Sequence, residues 1–95
     1  MSNVIDEAVK TLSGRLSDGF DGSAKFVIKD EGAIVIDHSG VREGDDETDV
    51  TLTADVKTFQ AILAGDLSPT MAFMSGKLKL DGNMGTAMKL GSALA

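Results

Sequence analysis

The amino-acid sequence predicts an α+β domain, in which a mixed β-sheet carries its helices on one face. Apolar residues recur at helical spacing before residue 20 and after residue 55, whereas they alternate with polar residues over 24–37, 49–54 and 77–81. These segments follow one another in the order α-β-β-(β)-β-α-α-β-α. Because 95 residues suffice for one hydrophobic core, we expect residues 1–95 to form a single domain.

The N-terminal half predicts one helix followed by a hairpin. An amphipathic helix is expected from residue 3 to about 20, with its apolar residues Val4, Ile5, Ala8, Val9, Leu12, Leu16 and Phe20 on one face. Residues 18–23 are rich in glycine and aspartate and should end it. Strands are expected in 24–30 and 33–37. The polar segment 38–49 leaves room only for a short edge strand.

The C-terminal half predicts one strand, two short helices, another strand and a closing helix. Asp55 is expected to cap a helix over 56–64 that ends at Gly65, and Ser68-Pro69 should begin a second helix before Gly76. Residues 77–81 alternate as a strand. A turn and cap at Gly82-Asn83 precede a helix whose apolar residues are Met84, Ala87, Met88, Leu90 and Leu94.

Composition excludes several classes of function. The sequence contains no cysteine, so disulfides, thiolate nucleophiles and zinc-thiolate sites are impossible. A net charge of -6 disfavours binding to nucleic acid and bulk attraction to anionic membranes. The first residues lack the pattern of a secretory signal, and no apolar run approaches the length of a spanning helix. We therefore expect a cytoplasmic protein without integral membrane association.

Charge is unevenly distributed along the chain. Residues 1–55 contain 13 acidic and 5 basic side chains, a balance of −8, whereas residues 56–95 contain 2 acidic and 4 basic ones, a balance of +2. The C-terminal part also holds four of the five methionines: Met71, Met74, Met84 and Met88. Methionine is flexible and polarizable, so it suits surfaces that adapt to irregular apolar partners, but it fills core gaps equally well.

The segment DVTLTADVKTFQAILAGDLSPTMAFMSGKLKLDGNMGTAMKL, residues 49–90, resembles the C-terminal half of the sterol carrier protein type 2 (SCP-2-like) lipid-transfer family. The likeness rests on Gly65, Pro69, Ala72, Phe73, the block Gly76-Lys77-Leu78-Lys79 and the block Gly82-Asn83-Met84, in that order. Residues 3–48 fit by their succession of elements. The resemblance implies a five-stranded, mostly antiparallel mixed sheet with helices around a hydrophobic tunnel.

The resemblance also implies a non-enzymatic carrier of fatty acids, fatty acyl-CoAs, sterols or similar ligands, with no cofactor, metal or catalytic residue. The residues expected to line its cavity are Phe59, Ile62, Leu63, Met71, Phe73, Met74, Met84, Met88 and Leu94. Burial of an acyl chain of about 14 carbons contributes about 11 kcal/mol before ordering costs, so no catalytic group is required.

Each candidate residue also has a structural interpretation. Lys77, Lys79 and Lys89 could meet a carboxylate or CoA phosphate headgroup, but strand lysines more often protect an edge. As a catalytic base His38 would need a serine and a carboxylate nearby in space, and Asp37, Ser39 and Glu43 are near it only in sequence, so a surface histidine is the favoured interpretation. The acidic run over 43–49 lacks the spacing of a calcium loop, so a solvated loop is favoured there.

The alternative function is a structural or interaction module whose apolar helical face packs against a partner subunit. We expect a monomer or weak dimer whose partner is a lipid-like small molecule, with at most transient membrane contact.

Overall fold

A computed structural model describes residues 3–17 and 19–94. The elements are α1 (Asn3–Arg15), β1 (Ala24–Ile28), β2 (Gly32–Asp37), β3 (Gly40–Glu43), β4 (Val50–Ala54), α2 (Val56–Ala64), α3 (Pro69–Met74), β5 (Lys79–Gly82) and α4 (Met84–Leu94). This order confirms the predicted succession, including the short strand within 38–49.

The five strands form one mixed sheet in the order β3-β2-β1-β4-β5. Three neighbouring pairs are antiparallel, and β1 and β4 are parallel, with Ala24 opposite Val50 and Ile28 opposite Ala54. β3 lies at one edge, as its polar sequence predicted, and β5 lies at the other. The predicted fold class, a mostly antiparallel mixed sheet with helices, is therefore confirmed.

Alternate residues of the central strands form the floor of the core. Ala24, Phe26 and Ile28 of β1 are buried, while Lys25 and Val27 between them are only half-buried. The helices complete this core with their own buried side chains, among them Ile5, Ala8, Leu12, Phe59, Ile62, Ala72, Leu90 and Leu94. The period of two in the strands thus separates a helix-covered face from an outer face.

The outer face of the sheet is covered only in part. Val35 of β2 is buried although it lies outside the main core, because the chain after β3 passes over it. A Cβ atom at Gly44 would lie 3.6 Å from a methyl group of Val35. Lys25 joins this cover through an ion pair with Asp45, with the two charged atoms 2.8 Å apart.

Three local caps set where the C-terminal helices begin. The backbone N–H of Thr58 donates to the Asp55 carboxylate at 2.7 Å, and that of Met71 donates to the Ser68 hydroxyl at 3.1 Å. The N–H of Thr86 donates to the side-chain oxygen of Asn83 at 3.0 Å. Each predicted N-cap is therefore confirmed, because a short polar side chain satisfies a helix donor that has no partner within the helix.

α1 ends earlier than predicted. It ends at Arg15 rather than near residue 20, and Gly19 follows with a φ of +84°. The backbone N–H of Phe20 then donates to the backbone carbonyl of Asp37 at the end of β2, at 3.2 Å, and this bond directs the chain toward the sheet. Leu16 and Phe20 are nevertheless buried. The sequence pattern predicted too long a helix because buried apolar residues continue past its end. Asp18, part of the predicted turn over 18–23, lies outside the described residues.

β5 also begins later than predicted, at Lys79 rather than residue 77. The backbone N–H groups of Lys77 and Leu78 both donate to the carbonyl of Ala72, at 2.9 and 3.0 Å. These bonds close the end of α3 and leave the two residues out of the ladder. The side chain of Leu78 is still buried, as its alternation predicted.

Arg15 connects the ends of three helices. Its guanidinium donates to the carbonyl of Leu63 in α2 and, at 3.1 Å, to that of Leu94 in α4. A cation is favourable at these positions because helix C-termini carry partial negative charge and unpaired carbonyl groups. Arg15 therefore fixes the far end of α4 relative to α1.

Candidate functional site

An apolar groove of 290 Å³ lies between α3, α4 and the β4–β5 part of the sheet. It is lined by Leu52, Pro69, Thr70, Phe73, Met74, Leu78, Leu80, Met84, Ala87, Met88 and Gly91. Thr70 is the one polar side chain in this lining, which contains no charged group. The groove is partly open to solvent. A continuous tunnel, as the resemblance implies, remains a prediction.

The floor of the groove comes from two neighbouring strands. Leu52 of β4 lies directly opposite Leu80 of β5, and directly opposed residues of paired strands point to the same face. Leu78 enters beside them from the turn that closes α3. The sheet therefore offers a leucine surface on which an apolar molecule could rest.

α3 forms one wall because its start is fixed by Ser68 and Pro69. Pro69, Thr70, Phe73 and Met74 line the groove, whereas Ala72 is buried beneath them. Spacing of three and four residues brings Phe73 and Met74 over the same face as the first turn. The wall is only six residues long, so its packing rather than its intrinsic helicity holds it in place.

α4 forms the opposite wall and is anchored at its first turn. Asn83 donates its backbone N–H to the carbonyl of Asp49 at 2.8 Å while its side chain caps the helix. Gly82 must be glycine here, because its φ is +117° and a Cβ would lie 2.4 Å from the Asp49 carbonyl oxygen. Met84, Ala87, Met88 and Gly91 then face the groove at helical spacing.

The groove contains no group suited to acid–base chemistry. Shifted pKa values occur elsewhere in the described residues. A hydrogen bond from Arg42 lowers the pKa of Asp37, and the backbone N–H of Thr58 lowers the pKa of Asp55. The Asp37 carboxylate also holds the pKa of Arg42 above its ordinary value. All three groups lie outside the groove lining. The groove is therefore suited to hold an apolar molecule rather than to transfer protons.

The structure brings four of the nine predicted cavity residues together in the groove: Phe73, Met74, Met84 and Met88. Phe59, Ile62 and Leu94 are buried in the core. Leu63 lies with Phe59 along a separate groove of 200 Å³ between α1 and α2. Met71 is 58% exposed and lies outside the lining. Contact of any of the nine with a ligand stays a prediction.

The three predicted headgroup lysines are exposed and none lines the groove. Lys79 lies on β5 next to Leu80, so it points to the outer face of the sheet. Lys89 pairs with Asp21 across 3.4 Å. Lys77 follows α3, between the groove residues Met74 and Leu78. Each of the three lysines is adjacent in sequence to a lining residue, so sequence position does not single out one of them as a headgroup contact.

Sequence reasoning missed seven lining residues: Leu52, Pro69, Thr70, Leu78, Leu80, Ala87 and Gly91. The inward alternation of Leu52, Leu78 and Leu80 was visible in the sequence, but it did not show that β4 and β5 lie side by side. Gly91 carries no apolar side chain that a pattern could detect. It lines the groove because α3 passes close to it: a Cβ there would lie 3.8 Å from that of Pro69.

A larger depression of 660 Å³ lies at the β1–β2 turn and the end of β3. Its rim carries Lys29, Asp30, Glu31, Glu43 and Asp45, and it is more open than the groove. An open depression whose lining includes five charged side chains is easily hydrated, whereas a ligand pocket buries most of its ligand and has few polar groups. The smaller groove is therefore the better candidate site.

His38 and the acidic run do not form a site in the described residues. His38 is exposed between β2 and β3, on a different part of the sheet from the groove. Asp45 and Asp46 pair with Lys25 and Arg42. Over 3–17 and 19–94, no group of three or more histidine, aspartate or glutamate side chains is arranged to hold a metal ion.

The sequence profile of the SCP-2 sterol transfer family matches residues 3–95. A relative from Bos taurus, "Hydroxysteroid dehydrogenase-like protein 2", is 34% identical over 105 residues, covering 94% of this chain and 24% of the relative. The chain thus spans about a quarter of the length of such relatives.

None of the described helices is long and apolar enough to cross a membrane.

Two solved structures from Aedes aegypti share the fold. The sterol carrier protein-2 in complex with the C16 fatty acid palmitate has a TM-score of 0.80 and 25% identity, covering 100% of this chain and 97% of that chain. Palmitated sterol carrier protein 2-like 2 has a TM-score of 0.76 and 26% identity, covering 99% and 95%.

Proposed function

Because this chain belongs to the SCP-2 sterol transfer family, we propose that it is a non-enzymatic lipid carrier that holds one apolar ligand in the groove between α3 and α4. The observation that carries the proposal is the lining of that groove, in which leucine, methionine and phenylalanine surround a space without a charged group. Two similar proteins that bind palmitate support it.

The size of the groove supports movement of its walls during binding. A volume of 290 Å³ lies just below the usual range for ligand pockets, about 300–1,000 Å³. A long acyl chain would therefore need α3 and α4 to separate from the sheet. Methionine side chains on both walls suit such a change, because they repack against ligands of different shape. We infer that α3 and α4 act as a movable lid.

The apolar lining favours broad rather than strict selectivity. One methylene group more or less changes affinity in an apolar pocket by only about 1–3 kcal/mol. The groove offers only the Thr70 hydroxyl as a polar side chain with which to distinguish fatty acids, acyl-CoAs and sterols. The proposal therefore names a class of apolar ligands, for which fatty acids are the first probes to use.

The first experiment identifies what the protein carries. The purified protein is extracted with organic solvent, and the extract is analysed by mass spectrometry. A stoichiometric lipid is expected. An empty protein that forms a concentration-dependent dimer would instead support the alternative function, in which the apolar helical face packs against a partner subunit.

The second experiment tests whether the ligand binds in the groove. Met88 lines the groove and is 71% exposed, so Met88→Glu should leave the fold intact while introducing a charge into the binding space. We expect at least a tenfold loss of affinity for a fluorescent fatty acid, corresponding to about 1.4 kcal/mol. The matched control is Ala93→Glu, an exposed position on another face of α4. If both variants bind the fluorescent fatty acid with equal affinity, the ligand binds outside the groove.

A further inference from the structure

The side chains that are most readily oxidised are concentrated on the two walls of the groove. The sequence contains five methionines and no cysteine, tryptophan or tyrosine, so thioether sulfur is the main target for a peroxide. Four of the five methionines lie on α3 and α4, and Met1 lies outside the described residues. Oxidation of this chain is therefore directed at the two helices that form the groove.

The buried core of the described residues contains no methionine. Methionine is among the side chains most often fully buried in proteins, but this core consists of isoleucine, leucine, valine, phenylalanine and alanine. The four methionines of α3 and α4 are instead between 49% and 74% exposed. An oxidant in solution thus reaches these side chains without unfolding of the protein, and their oxidation leaves the side chains of the core unchanged.

Three of these methionines face the groove from both of its walls. Met84 and Met88 line it from α4, where they are one turn apart, and Met74 lines it from α3. Met71 is also on α3 and is 58% exposed, but it lies outside the lining. The chain therefore contains an exposed methionine against which the behaviour of the three lining methionines can be compared.

We propose that Met74, Met84 and Met88 form a site of reversible oxidation, at which a peroxide lowers the affinity of the groove for lipid. The proposal rests on the carrier function, because lipid affinity is the property that oxidation changes. The sulfur lone pair attacks one oxygen of hydrogen peroxide and the O–O bond breaks. The thioether becomes a sulfoxide, and the proton of the transferred oxygen passes to the departing hydroxide, which leaves as water. Methionine sulfoxide reductases reverse the step with a thiol as reductant, which becomes a disulfide.

Oxidation weakens lipid binding because it makes the lining polar. Each sulfoxide carries an oxygen that accepts hydrogen bonds, whereas the Thr70 hydroxyl is the one side-chain donor among the lining residues. Once an apolar ligand excludes water, the three sulfoxide oxygens lack enough partners, and burial of an unpaired polar group is unfavourable. We expect the affinity for a fluorescent fatty acid to fall about tenfold, which corresponds to about 1.4 kcal/mol.

The first test compares the fatty-acid affinity of each protein before and after treatment with hydrogen peroxide, which is then removed with catalase. The original protein should lose about tenfold, and methionine sulfoxide reductases with dithiothreitol should restore its affinity. The combined variant Met74→Leu, Met84→Leu and Met88→Leu has an apolar lining without sulfur, so treatment should change its affinity by less than about twofold. The matched control Met71→Leu removes a sulfur outside the lining and should still lose about tenfold.

The second test locates the oxidation by mass spectrometry of peptides, with and without bound palmitate. Palmitate should slow oxidation of Met74, Met84 and Met88 about twofold or more relative to Met71, because a ligand in the groove covers the lining side chains. Circular dichroism of the oxidised protein should show the secondary structure of the original protein, since the described core contains no methionine.

The outcomes distinguish this proposal from the carrier function. Unchanged affinity after oxidation of the three lining methionines would overturn the oxidation site. So would a loss of affinity in the leucine variant as large as that of the original protein, or unfolding of the oxidised protein. An original protein that binds no fatty acid before treatment would contradict the carrier function, and with it the oxidation site that depends on it.

Discussion

At the scale of the residue, Phe59, which was expected to line the cavity, is buried in the core and does not line the groove between α3 and α4. Its ring lies 5.2 Å from that of Phe26, centroid to centroid, with 59° between the ring planes. Both side chains are fully buried. Aromatic pairs in this tilted arrangement contribute to stability beyond their buried area. In the structure Phe59 therefore supports the sheet instead of facing the groove.

Replacement of Phe59 tests this placement. Phe59→Ala should lower the free energy of unfolding by about 3–5 kcal/mol, because the cavity that remains cannot collapse fully. Met88→Ala, at an exposed groove position, should change it by only about 0.5 kcal/mol. Urea denaturation of both variants measures the difference. Comparable losses would show that the packing around one of these residues differs from the structure.

At the scale of the element, the C-terminal helices are short and depend on their first turns. α2 has nine residues and α3 has six, lengths at which an isolated helix is unstable in water. Asp55 supplies a charged cap to α2, and the N–H of Thr58 holds the pKa of that carboxylate below its ordinary value. The ionised form of Asp55 is therefore favoured by folding.

The cap predicts a specific dependence of stability on pH. Because the folded-state pKa of Asp55 is lowered, its contribution is present above the ordinary pKa of aspartate and is lost as pH falls through the folded value. Asp55→Ala should thus be less stable than the original protein at about pH 7. The difference in unfolding free energy should shrink at about pH 3.

Asp55→Asn is the matched control for this prediction. Asparagine caps a helix about as well as aspartate but does not titrate. Its stability at neutral pH should lie close to that of the original protein, and its cap should persist at low pH. If the difference in unfolding free energy between Asp55→Ala and the original protein is the same at about pH 7 and about pH 3, the carboxylate does not provide the cap.

At the scale of the whole molecule, the proposed carrier function predicts that ligand binding in the groove raises stability. A ligand that binds only the folded state stabilises it by about 2.7 kcal/mol when its free concentration is 100 times the dissociation constant. For a domain of this size that corresponds to a rise in Tm of about 10–20 °C. Palmitate should produce such a rise, measured by circular dichroism after removal of endogenous lipid.

The variant that blocks the groove serves as the control. Met88→Glu should have a Tm close to that of the original protein without ligand, because Met88 is exposed. Palmitate should then fail to raise it. A similar rise in both proteins would show that the fatty acid binds outside the groove, for example between α1 and α2.

Several features of the fold followed from local sequence alone. The caps Asp55, Ser68 and Asn83 could be predicted from residue type and position, because a helix cap acts locally. In the structure each accepts a hydrogen bond from the backbone N–H three residues later. Strands β1 and β4 were visible because period-two alternation is set by backbone geometry. The apolar character of the last two helices was also evident.

Tertiary structure decided which apolar residues surround the groove. Met71 and Met74 are the same residue type on one short helix, yet only Met74 lines the groove. Lys77 and Leu78 were expected in a strand but close α3 instead. These outcomes depend on contacts between segments that are far apart in sequence. One such contact is the parallel pairing of β1 with β4. A local pattern shows that a side chain is apolar, but only the packed chain determines whether it contacts the core, the groove or the surroundings.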